Sequence, residues 1–83
     1  MHVGLVGLGR MGGNMRERLR RAGIEVTGFD RDPAVSDVDS LAGLVEAVPA
    51  PGRIVWVMVP AGEPTHAVVG ELAGLLAEGD LVI

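Results

Sequence analysis

Cysteine, lysine and tyrosine are all absent from this 83-residue chain. Without cysteine, neither a disulfide framework nor a thiolate metal site is available. Without lysine, no Schiff base and no amine general base can come from these residues. Every basic side chain is an arginine: Arg10, Arg16, Arg18, Arg20, Arg21, Arg31 and Arg53. Aromatics are reduced to Phe29 and Trp56, too few for a base-stacking platform. With a net charge of -4, a nucleic-acid partner is not expected. No apolar run approaches the roughly 20 residues needed to span a bilayer, so no membrane partner is expected either. The apolar start lacks a basic flank and meets Arg10, which argues against a secretory signal and makes the cytoplasm the expected compartment. His2 and His66 have no ligand set at metal spacing, so no metal is expected.

What is present suits a small folded α/β domain, with 48% hydrophobic residues and 13 glycines. From Val3 to Gly7 a short apolar run bounded by glycines reads as a buried strand. Met11, Met15, Leu19 and Ala22 then recur at helical spacing and predict a helix over 11–21, with Gly23 as its stop. In this reading Met11, Met15 and Met58 are core residues, and Arg16, Arg18, Arg20 and Arg21 form a solvated face. "IEVTGFD", Ile24 to Asp30, reads as a second strand, and Arg31 to Ser40 as a polar loop. Ser40 can cap a short helix over 41–48. "RIVWVMVP", Arg53 to Pro60, is apolar and β-branched and reads as a central strand. A helix over 64–77 follows, with Gly79 as its stop, and "DLVI" begins another strand. Strands alternating with helices call for a parallel sheet with right-handed crossovers, in one domain with no internal linker.

The first predicted strand and helix are joined by "GLGRMG", in which Gly7, Gly9 and Gly12 fit G-x-G-x-x-G. Glycine weakens the interior of both strand and helix, so its placement between them needs a reason. In the dinucleotide-binding arrangement the first glycine permits the tight turn, the second lets backbone approach a pyrophosphate, and the third lets helix and strand pack closely. The free N–H groups of the helix start face the phosphates. Asp30 closes the second strand 18 residues after Gly12, near the spacing at which an acid accepts hydrogen bonds from the adenosine ribose. Asp30 also reads as an ordinary turn residue beside Asp32 and Pro33. A ribose-binding carboxylate repels a 2′-phosphate, so NAD is favoured over NADP. Arg31 reads either as a clamp for that phosphate, which would admit NADP, or as a solvated arginine.

"VGLVGLGRMGGNM", "GFDR", "VWVMVPAGEPT" and "GDLVI" together resemble the N-terminal segment of the decarboxylating 6-phosphogluconate dehydrogenases, within the wider β-hydroxyacid dehydrogenase group. The resemblance covers nearly the whole chain and implies a Rossmann-like, doubly wound α/β domain. It implies that Gly7, Leu8, Gly9, Arg10, Met11 and Gly12 hold the pyrophosphate and that Asp30 and Arg31 read the ribose. Val59, Pro60 and Ala61 would lie against the nicotinamide half. NADP-using members of the family tend to carry asparagine at the position of Asp30, which again favours NAD. The stretch between Asp32 and Leu41 is shorter than in many members, so a more open adenine pocket is expected.

The family continues past the last strand into a helical domain that supplies a catalytic lysine and glutamate. Residues 1–83 are accordingly expected to be a truncated dinucleotide-binding domain of a larger enzyme, without catalytic residues of their own. The parent reaction implied is oxidative decarboxylation of 6-phosphogluconate to ribulose 5-phosphate by a cytoplasmic homo-oligomer. Two other readings stand beside it: another β-hydroxyacid dehydrogenase, of the 3-hydroxyisobutyrate type, and a non-catalytic nucleotide-binding domain.

Overall fold

The computed structural model describes residues 1–59, 63–77 and 79–83. The chain runs β1 (His2–Val6), α1 (Arg10–Arg21), β2 (Glu25–Phe29), α2 (Leu41–Ala47), β3 (Ile54–Val57), α3 (Glu63–Leu75) and β4 (Leu81–Val82). The strands form one sheet in the order β2-β1-β3-β4, and every pairing is parallel. The predicted order of elements therefore holds, with ends shifted by a residue or a few. β3 stops at Val57 rather than Pro60, although the Met58 N–H still donates to the Val6 carbonyl at 2.7 Å. The predicted nicotinamide contacts Pro60 and Ala61 lie outside the described residues.

β1 is central because both of its edges are hydrogen-bonded, and both of its faces are covered. Leu5 packs with Leu8 and Val26 beneath α1, while Val6 packs with Leu41, Leu44, Val45, Val55 and Leu72 beneath α2 and α3. Successive strand residues point to opposite faces. A strand buried on both sides must therefore read as an unbroken apolar run, as "VGLV" does. Leu5, Leu44 and Leu72 are fully buried, and each contributes about 1.5–3 kcal/mol through the apolar surface it removes from water.

Trp56 and Met58 belong to the α1 face, alongside Met15 and Leu19, and are only partly buried. Met11 departs from its core expectation and is 73% exposed. It sits in the first turn of α1, where Gly12 and not Met11 is the buried residue lying against the Gly7 carbonyl.

The helix ends follow local chemistry. The Ser40 hydroxyl accepts a hydrogen bond from the Gly43 N–H at 2.9 Å, a cap that stabilises α2 by about 1 kcal/mol. Arg18, Arg20 and Arg21 in the last turn of α1 oppose the negative end of its dipole. Among the described residues no helix is long and apolar enough to cross a membrane.

Candidate functional site

From β1 the chain first goes to β2 on one side and then crosses to β3 on the other. The carboxyl ends of β1 and β3 therefore flank the point where strand order reverses, where open parallel sheets form their ligand crevice. Gly7 leaves β1 at that point with φ +95°, a conformation that costs other residues about 1–2 kcal/mol. Its N–H donates to the Phe29 carbonyl at 2.8 Å, which pins the turn to the end of β2. A methyl group on Gly7 would come within 2.6 Å of the Met58 carbonyl oxygen, and one on Gly12 would overlap the Gly7 carbonyl oxygen. These two glycines let α1 lie close against β1 and β3.

Gly9 differs, since among the described residues a methyl group there would meet no atom within 4 Å. It is the N-cap of α1 and offers no side-chain acceptor to the helix start. The N–H groups of Arg10, Met11 and Gly12 have no backbone acceptor among the described residues. Open space in front of unpaired donors at the positive end of a helix suits a bound anion.

Asp30 follows β2 directly. Its Oδ2 accepts the Leu8 N–H at 2.7 Å, linking the acid to the glycine turn. Its Oδ1 accepts the Asp32 N–H at 2.9 Å, and its own N–H donates to the Ser36 hydroxyl at 3.0 Å. The N–H of Asp32, then that of Leu8, hold the carboxyl below the usual carboxylate range; partial burial opposes them, and Arg31 adds a smaller effect in the same direction. The group is thus a fixed carboxylate at neutral pH, with lone pairs left to accept further donors.

Asp30, Arg31, Gly7 and Val59 line one cleft together with Val6, Phe29 and Val68. The predicted residues therefore fall into two adjoining groups. Gly7, Asp30, Arg31 and Val59 face the cleft, whereas Leu8, Gly9, Arg10, Met11 and Gly12 form the turn and helix start beside it. Phe29 and Val68 were not singled out in the sequence. Phe29 reads there as one more strand residue, and Val68 reaches the cleft only because α3 returns across the sheet.

Arg16, whose side chain is 17% exposed, departs from the solvated face expected of it, while Arg20 stays exposed on that face but is bound to the loop and to β2. Arg20 Nη2 donates to the Asp37 Oδ2 at 2.9 Å and to the Val26 carbonyl at 2.8 Å. Arg16 Nη1 donates to the Val35 carbonyl at 2.8 Å and lies 3.4 Å from the same Asp37 oxygen. That oxygen also accepts the Gly28 N–H at 2.8 Å, and the Asp37 N–H donates back to the Gly28 carbonyl at 2.9 Å. Residues 31–40 are a loop, as expected, but one bound to both β2 and α1. Arg18 and Arg21 remain exposed, and Arg21 pairs with Glu17.

A parallel sheet with a glycine turn at its switch point and an acid ending the next strand defines a nucleotide-binding domain of the Rossmann type. The sequence profile described as the NAD binding domain of 6-phosphogluconate dehydrogenase matches residues 2–83, and the chain belongs to that family. It is 37% identical over 92 residues to the NAD(+)-dependent, decarboxylating 6-phosphogluconate dehydrogenase of Haloferax volcanii, a match covering 100% of this chain and 30% of that protein. It is 35% identical over 94 residues to the decarboxylating 6-phosphogluconate dehydrogenase of Synechococcus elongatus, covering 96% of this chain and 20% of the relative. The enzyme of the same name from Treponema pallidum is 34% identical over 95 residues, covering 98% of this chain and 19% of the relative. The chain thus spans less than a third of the length of these relatives.

Proposed function

We propose that this chain is the NAD-binding domain of a 6-phosphogluconate dehydrogenase that converts 6-phosphogluconate to ribulose 5-phosphate with loss of carbon dioxide. The observation that carries the cofactor assignment is the Asp30 carboxylate, fixed and ionised at the cleft by the N–H groups of Leu8 and Asp32. The residues present fit the cofactor. Gly9 leaves backbone-width space, the first turn of α1 offers to the pyrophosphate N–H donors that have no backbone acceptor among the described residues, and Asp30 accepts the ribose hydroxyls. Arg31, beside Asp30, covers the adenosine end, and Val59, with Pro60 and Ala61 after it in sequence, approaches the nicotinamide half. NAD, when bound, accepts the hydride, and the domain supplies its orientation.

The NAD assignment over NADP rests on the repulsion between a fixed carboxylate and a 2′-phosphate. The relative from Haloferax volcanii is itself named as NAD(+)-dependent. The chain has no lysine, so in this reading the proton-transferring lysine of the family lies outside these residues and the chain contributes cofactor binding alone. The enzyme is read as a cytoplasmic homo-oligomer acting on a small sugar-acid phosphate.

The test is a calorimetric titration of the folded 83-residue chain with NAD and NADP in parallel. Saturable binding with NAD the tighter ligand is expected. Equal affinities, or tighter NADP, would overturn the role given to Asp30, and no binding of either by a folded chain would overturn the site.

A further inference from the structure

We infer that Asp37, gripped by Arg16 and Arg20, is a positioning residue that holds the Asp30 carboxylate in place and thereby sets the discrimination between NAD and NADP. The inference rests on the reading of Asp30 under Proposed function.

One oxygen of Asp37 receives three hydrogen bonds, from two elements of the fold. The Gly28 N–H reaches it from β2 at 2.8 Å, and Arg20 and Arg16 reach it from α1 at 2.9 and 3.4 Å. Each arginine carries a second bond, to the carbonyl of Val26 in β2 or of Val35 in the loop. The loop is therefore tied at both ends, at Asp30, one residue beyond Phe29, and at Asp37. Between these ends the Ser36 hydroxyl accepts the Asp30 N–H and donates to the Val38 carbonyl. Asp32 is held against Asp30 Oδ1.

The Asp30 carboxylate thus has two supports, the Leu8 N–H of the glycine turn and the Asp32 N–H of the loop, and from the same loop the Ser36 hydroxyl holds the Asp30 backbone N–H. Asp37 anchors the second. Its side chain is 33% exposed and that of Arg16 only 17%, so these charges sit partly out of water, where pairing counts for more than at an open surface. A loop released from this anchor would have to be ordered again when the ribose binds, at a cost of about 0.5–1.5 kcal/mol per immobilised side chain. A carboxylate free to swing away would also repel a 2′-phosphate less, so NADP would lose less affinity than NAD, or none.

The variants D37N and R16Q/R20Q test this. The first keeps an oxygen that can accept the Gly28 N–H while removing the charge, and the second leaves both Gly28 bonds in place. NAD affinity is expected to fall about 2- to 12-fold, the range of that ordering cost, while NADP affinity changes less than twofold, so the ratio narrows. Amide hydrogen exchange without ligand reads the positioning directly: Leu8 and Asp32 should exchange faster in both variants, relative to the amides of β3. A lowered melting temperature with the NAD to NADP ratio and the relative exchange of Leu8 and Asp32 unchanged would overturn the inference and leave Asp37 a purely structural anchor. If the parent chain binds neither cofactor, the assignment of Asp30 to the ribose fails on its own. The exchange result still decides whether Asp37 positions that carboxylate.

Discussion

The same substitution at Gly9 and at Gly12 separates space kept for a ligand from space needed for packing. Gly9→Ala adds a methyl group where no atom of the described residues lies within 4 Å, on a residue at φ -66° that alanine adopts without strain. Alanine is the poorer N-cap by about 0.5–1 kcal/mol. It also lowers the entropy of the unfolded chain by about 0.4–1 kcal/mol, so the two effects nearly cancel. The melting temperature should therefore move by less than about 4 °C. Gly12→Ala must displace the Gly7 carbonyl, and forced overpacking costs about 1–3 kcal/mol. For a domain of this size that is a fall of about 4–24 °C. Cofactor binding should rank the other way per degree lost. A methyl group pressed against a pyrophosphate seated on Gly9 costs a similar 1–3 kcal/mol or so, which is about 5- to 150-fold in NAD affinity. Circular dichroism melts and NAD calorimetry on the two variants suffice. A Gly9→Ala protein that binds NAD within about twofold of the parent, or that loses as much stability as Gly12→Ala, would refute the reasoning.

Two further outcomes are expected. Asp30→Asn should weaken NAD and bring NADP level with it or ahead, since the amide cannot repel a 2′-phosphate; unchanged selectivity in parallel titrations would leave Asp30 as a turn residue. Acid should also destabilise the chain through Asp30 and Asp80. Asp80 is held below the ordinary carboxylate range first by the Ala77 N–H, with the N–H and guanidinium of Arg53 adding to it against the effect of burial. Lowered folded-state values mean that the unfolded chain binds protons first, so this stabilisation is complete above a pH of about 4 and is lost as pH falls through the lower folded values. Melting temperatures measured from neutral pH downward should fall in that acid window, and Asp80→Asn should start lower at neutral pH and fall less steeply. Identical slopes for parent and variant would remove Asp80 from the account.

Most of the fold was legible in the sequence because its signals are local. Apolar runs in β1 and β3 mark strands buried on two faces, the spacing of Met15 and Leu19 marks the inner side of α1, and Ser40 marks the start of α2. The glycine motif was legible for a further reason, since Gly7 and Gly12 each answer to a specific backbone atom, the Met58 and Gly7 carbonyls respectively. Contacts between elements far apart in the chain had no such signature. The bonds of Arg16 and Arg20 to Asp37 join residues 21 and 17 positions apart through a segment without periodicity, so nothing distinguished these two arginines from Arg18 and Arg21. Met11 carried the right spacing for the core, but in the first turn of α1 it is Gly12 that faces the sheet. Phe29 and Val68 became cleft residues only through the way α3 crosses back.

Trp56 is the chain's one indole. It is half-buried beside Met58 on the face of the sheet that α1 covers, while the cleft of Asp30, Phe29 and Val68 opens on the other side. Its intrinsic fluorescence is therefore a built-in gauge of how tightly α1 is seated, separated by the thickness of the sheet from events at the ribose end. Emission recorded during a titration reports the integrity of one layer while heat release reports occupancy at the other, so a single sample distinguishes a variant that has lost its ligand from one that has lost its shape.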